Sequence, residues 1–102
     1  MKEILEKIFD KFKLADEFVK IYCFKNAVGY KVFTSLFYVS FLLYEEEIEN
    51  GTTYYIFEAQ KVNNNYPNLK TKIVNSSPNL LFLQEDIKNI LLFLGFEKKV
   101  DR

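Results

Sequence analysis

The chain has 102 residues, 49% of them hydrophobic and 27% charged, which is enough for one core, too short for two, and too apolar for an intrinsically disordered chain. Fourteen basic and fourteen acidic side chains cancel, so no global field draws the protein to nucleic acid or to an anionic membrane. Every basic residue except Arg102 is a lysine; without the guanidinium fork that reads guanine, direct sequence-specific DNA binding is not expected.

The chain contains no His. That removes the commonest general base, the commonest metal ligand and every Ser-His or Cys-His nucleophile pair. The single Cys23 can form neither an intramolecular disulfide nor a zinc site, and in a strand-like run beside Ile21 and Phe24 it reads as a small buried hydrophobe in a reducing compartment. Gly29, Gly51 and Gly95 lie too far apart for a phosphate-cradling loop. No cofactor and no metal site are expected. No signal peptide is visible, and the longest uncharged run, residues 32–44, falls short of the roughly 20 residues a membrane-spanning helix needs. The expectation is a soluble, cytoplasmic protein. Its wealth of Phe, Tyr, Lys, Asn and Ile, all drawn from AT-rich codons, points to a low-GC genome or a phage or other mobile element living in one.

Along residues 2–15 the apolar side chains Ile4, Leu5, Ile8, Phe9, Phe12 and Ala15 recur every three or four positions, the spacing of an amphipathic helix. Residues 17–24 carry β-branched and aromatic side chains on both alternating faces (Phe18, Val19, Ile21, Tyr22, Phe24) and predict a strand. Residues 25–29 then form a connection, with Asn26 and Gly29 as its turn formers. Residues 30–62 predict the central element, a long β-hairpin joined at Asn50-Gly51, whose residues suit a two-residue type I′ turn. Counting back from that turn sets Glu49 opposite Thr52, Tyr44 opposite Phe57 and Leu43 opposite Glu58. One face then holds Tyr38, Leu42, Tyr44, Tyr55, Phe57 and Ala59; the other holds Phe37, Val39, Phe41, Leu43 and Ile56, with Glu45, Glu47 and Glu58 towards the turn.

Beyond the hairpin, residues 63–68 form a polar loop carrying Tyr66. A short strand is predicted at 72–74, a turn at 76–79 and a further strand at 80–83. Gln84-Glu85-Asp86 opens a second helix, its acids complementing the positive end of the dipole. Ile87, Ile90, Leu91 and Leu94 make its core stripe, and Leu92 and Phe93 widen that stripe until the helix must be covered nearly all round. Gly95-Phe96 is its stop signal. Together these elements predict one α+β domain over residues 1–102: an antiparallel sheet of four or five strands around the hairpin 30–62, with the N-terminal and C-terminal helices packed on one face. The second face, apolar as well, is expected to pair with another copy as a homodimer.

Two features bear on function. Glu45, Glu46, Glu47 and Glu49 make an acidic hairpin tip, which keeps a strand end soluble and can also enter a basic groove on a nucleic-acid-binding enzyme. Tyr54, Tyr55 and Tyr66 belong to a set of tyrosines spread along the sheet, a residue type enriched at protein interfaces. In the two-residue register Glu45, Glu47 and Glu58 share a face. With Lys61 nearby and a helix, three-strand meander, helix order, this resembles the core of metal-dependent restriction-type nucleases, although the Glu-x-Lys of that pattern reads Glu58-Ala59-Gln60 here. The resemblance implies magnesium held by carboxylates on two adjacent strands. The favoured expectation is a small non-enzymatic protein-binding module, encoded by a phage or mobile element, that inhibits a host factor such as a CRISPR or other defence nuclease. The alternatives are a magnesium-dependent nuclease with a degenerate motif and a structural homodimer.

Overall fold

The computed structural model describes residues 1–13, 17–48 and 50–100, and along 17–22 and at 24 the backbone alone. In chain order the elements are α1 (Lys2–Phe9), β1 (Phe12–Lys13), β2 (Glu17–Phe24), β3 (Ala27–Phe33), β4 (Phe37–Glu47), β5 (Thr53–Asn63), β6 (Lys70–Ser77), α2 (Leu80–Phe93) and β7 (Glu97–Lys98). Strands β2 to β6 form one antiparallel meander in sequence order, and β1 pairs with β7 in a separate two-stranded ribbon. This is the expected α+β domain with its long hairpin, here a pair of eleven-residue strands. No helix of the described residues is long and apolar enough to cross a membrane.

The strands bury chiefly one face, by alternation, although Val62 of β5 is buried on the other. Val28, Tyr30 and Val32 of β3 stand opposite Leu43, Phe41 and Val39 of β4, which stand in turn beside Phe57, Ala59 and Lys61 of β5. Leu5, Ile8 and Phe9 of α1 and Leu83, Ile87, Ile90 and Leu91 of α2 pack onto that face. A run of rings links the layers: Phe9 meets Tyr30 at 5.8 Å and Phe41 at 5.1 Å, and Phe41 stacks on Phe57 at 5.8 Å and meets Phe96 at 6.2 Å. An eight-residue helix such as α1 is marginal in isolation, so its side of this aromatic core supplies its stability.

Several boundaries differ from the sequence reading. The first helix stops at Phe9, with the Lys11 N–H on the Ile8 carbonyl. Phe12 is buried through the β1–β7 ribbon instead, which hides its ring and also pairs the backbone of both chain ends; Ala15 lies outside the described residues. The run from 30 onward is broken by a turn whose anchor is Thr34: its hydroxyl accepts from the Leu36 and Phe37 N–H groups, and its own N–H donates to the Phe37 carbonyl. The hairpin therefore begins at Phe37, and β3 is a separate strand that absorbs 27–29 of the expected connection. Residues 80–83 are the first turn of α2 and not a strand, because the Asn79 side chain caps them by accepting from the Leu81 N–H at 2.9 Å. The expected stop at Gly95 holds: Gly95 has φ +98, its N–H reaches the Leu92 carbonyl, and the Phe96 N–H reaches that of Leu91. Lys61 reinforces this end, donating to the Leu94 carbonyl at 3.1 Å while its ammonium lies 4.0 Å from the Phe37 ring centre. Cys23 is exposed rather than buried; β2 is an edge strand, with a register shift between Lys20 and Tyr22.

The hairpin turn is also of another kind. Ile48 N–H donates to the Thr52 carbonyl, Gly51 N–H donates to the Ile48 carbonyl, and Gly51, at φ +79, is left-handed. A two-residue type I′ turn at Asn50-Gly51 would set residue 49 opposite Thr52, whereas here Ile48 is the residue bonded to Thr52. The Asn50 side chain accepts from the Thr52 N–H. Glu47 consequently pairs with Thr53, Tyr44 with Ile56 and Leu43 with Phe57, one residue away from the expected register. Such a slip moves every side chain of one strand to the opposite face.

Candidate functional site

That slip decides which groups meet. Phe57 and Ala59 join Val39, Phe41 and Leu43 in the core, and Ile56 and Glu58 turn to the other face. Neither helix lies on that other face. It presents Tyr38, Leu42 and Tyr44 from β4 and Tyr54, Ile56 and Glu58 from β5, with Lys31 and Phe33 from β3 and Lys72 and Val74 from β6 at its sides.

Its local geometry is ordered by charge on aromatic. The Lys31 ammonium sits 5.1 Å from the Tyr38 ring centre and 6.0 Å from that of Phe33. Across the sheet, Lys72 pairs with Glu58 at 3.6 Å. Tyr44 stands nearer the turn on the same face, one same-face step beyond Leu42, which is opposite Glu58. Partial burial, and then the negative charges of Glu58 and Glu46, push its phenol pKa up. On the core face burial does the same more strongly to Tyr30, with help from the Glu6 carboxylate that its hydroxyl faces at 3.4 Å, and pushes it up to about 12. Both shifts hold a phenol protonated at neutral pH, so neither creates a base or a nucleophile.

Of the expected partner-binding residues, Glu46 and Tyr54 form an opposed pair on the uncovered face. Glu45 and Tyr55 form the next pair and point to the helix side, where Tyr55 packs against the core. Glu47, opposite Thr53, is exposed on that same side, and Glu49 lies outside the described residues. Tyr66, in the loop between β5 and β6, is 64% exposed and sits beyond the other end of the hairpin. The acidic group of the nuclease resemblance does not assemble, because Glu58 faces away from Glu45 and Glu47. No three Cys, Asp or Glu side chains among the described residues are grouped to hold a metal ion.

The sequence reading did not count Tyr38, Leu42, Tyr44 and Ile56 among the partner-binding residues. Their signal was present, since Tyr38, Leu42 and Tyr44 alternate on one strand, but only the true register brings Ile56 and Glu58 beside them. In chemical terms the surface offers broad apolar contact with hydroxyl tips and charges of both signs, the composition of a recognition surface. The chain matches no known family model, no curated protein and no solved structure.

Proposed function

We propose that this chain is a small, non-enzymatic protein-binding module, of the kind a phage or mobile element of a low-GC host encodes to inhibit a cytoplasmic host factor such as a CRISPR or other defence nuclease. The observation that carries the reading is the uncovered sheet face: three tyrosines, Leu42 and Ile56 at its centre, flanked by Lys31, Lys72, Glu46 and Glu58. An aromatic centre with a mixed-charge rim is the anatomy of a protein interface. A phosphate backbone would call for a stripe of cations instead, and on this face Lys72 is already neutralised by Glu58.

The test is inhibition of defined defence nucleases from low-GC bacteria, assayed by target-DNA cleavage with purified components. The expected result is that the wild-type chain suppresses cleavage by at least one of them, and that the double variant Tyr44→Ala, Tyr54→Ala loses about tenfold or more in potency while retaining its circular dichroism spectrum. Suppression equal in the wild type and a folded sheet-face variant would remove this surface from the mechanism. Absence of suppression across the panel would remove the inhibitor reading.

A further inference from the structure

The second helix is far more apolar than its buried stripe requires, and the chain does not cover the excess. Leu81 and Phe82 are each 69% exposed, Leu92 is 44% and Phe93 73% exposed. These four side chains form two pairs, one at each end of α2. Leu81 to Leu92 and Phe82 to Phe93 are both steps of eleven residues, which at 3.6 residues per turn is three turns plus about 20°. Both pairs therefore point the same way, about 16 Å apart along the helix. Between them the exposed positions are polar: Glu85 and Asn89.

We infer that this chain self-associates through α2, the helices of two copies crossing antiparallel about a two-fold axis near Ile87. A two-fold interface must be complementary to itself, and this pattern is. Inverting the helix about Ile87 sets Leu81 against the second copy's Leu92 and Phe82 against its Phe93, each contact occurring twice. It also sets Glu85 against Asn89. There the amide donates to a carboxylate oxygen that Lys88 leaves available, since the Lys88 ammonium holds only Oε1, at 3.1 Å. An antiparallel pairing offset by a turn or more would bring the apolar ends against Glu85 and Asn89, and a parallel one would set Glu85 against its own copy, like charge on like. The footprint is that of one fourteen-residue helix, about 21 Å long and about 10 Å wide, well under the roughly 800 Å² per partner of a standard interface. The dimer is accordingly weak and concentration-dependent. This pairing replaces the sheet-to-sheet dimer suggested by the sequence, leaves the uncovered sheet face for another protein, and does not depend on what that protein is.

The experiment is sedimentation equilibrium on the full chain across the micromolar range. The wild type is expected to show a reversible monomer–dimer equilibrium. Phe82→Glu and Phe93→Lys, at positions already exposed, are each expected to raise the dimer dissociation constant about tenfold or more without altering the thermal midpoint. The double variant Phe82→Glu, Phe93→Lys is expected to recover most of the loss, because the two positions meet across the axis. A wild type that stays monomeric throughout the range overturns the inference. So does a dimer indifferent to both single variants but broken by Phe33→Glu on the sheet face, and so does a double variant no tighter than the singles.

Discussion

Tyr30 shows how a single side chain reports on the whole fold. It is buried in the core against Phe9, and burial together with the nearby Glu6 carboxylate pushes its pKa from 10.0 to about 12. The folded protein therefore keeps the proton that the unfolded chain releases near pH 10. The resulting stability is fully present below that pH and is lost as pH rises towards 12. The gap corresponds to about 3 kcal/mol. Urea denaturation is expected to show a midpoint that falls between about pH 10 and about pH 12, and Tyr30→Phe is expected to flatten that fall. An equally steep decline in the variant would assign alkaline loss to other groups. Residue identity alone revealed the tyrosine but not its burial, because Tyr30 stood at what looked like the outer end of a hairpin strand and is instead the middle of β3.

At the scale of elements, the hairpin shows what a pattern determines and what it leaves open. Asn50-Gly51 located the turn correctly, since Gly is the residue that enters the left-handed region at no cost. It did not determine how many residues the turn contains. Both faces of β4 and β5 are apolar at their centres, and Ile56-Phe57 puts large hydrophobes on consecutive positions, so hydrophobic pattern could not choose between registers one residue apart. The nuclease-like acidic group was a product of that ambiguity. Helix α2 was legible in its core stripe and its Gly95 stop, whereas its start was not, because Leu80 and Leu81 are as compatible with a strand as with a first turn and the capping role of Asn79 depends on backbone geometry. At Gly51 an added Cβ would meet nothing closer than 4.0 Å, so the cost of Gly51→Ala is backbone strain alone. At φ +79 that is about 1 kcal/mol, to be read from the urea midpoint with no change in the slope. An unchanged midpoint would mean that the turn readily adopts another geometry.

For the molecule as a whole, the sequence conveyed its class and little of its surface. Alternation and helical spacing identify what must be buried, so the α+β architecture with both helices on one face was accessible. What remains outside is set by which buried face the helices choose. Either face of the hairpin qualified on composition, and the choice fell on the one completed by Val28, Tyr30 and Val32 of β3. The candidate surface is the complement of that choice, a long-range outcome that no local spacing encodes. The same logic explains the acidic tip: Glu46 and Glu47, neighbours in sequence, end on opposite sides of the sheet, so the four glutamates cannot present a single charged patch.

The β1–β7 ribbon adds a consequence for how the molecule comes apart. It joins Phe12 to Lys98 and the Lys99 N–H to the Lys11 carbonyl, contacts between segments separated by most of the chain. Closing so long a loop earns nothing until the intervening sheet exists, and a ribbon two residues wide has little of its own to resist opening. It is therefore the last contact made and the first released. In native-state hydrogen exchange the Lys99 amide is expected to exchange by local opening, orders of magnitude faster than the Phe41 amide at the centre of β4. Equal rates would mean that the ribbon opens only with the sheet. The closure at the chain ends acts as a latch, and its release uncovers the Phe12 edge of the core before any strand of the meander has separated.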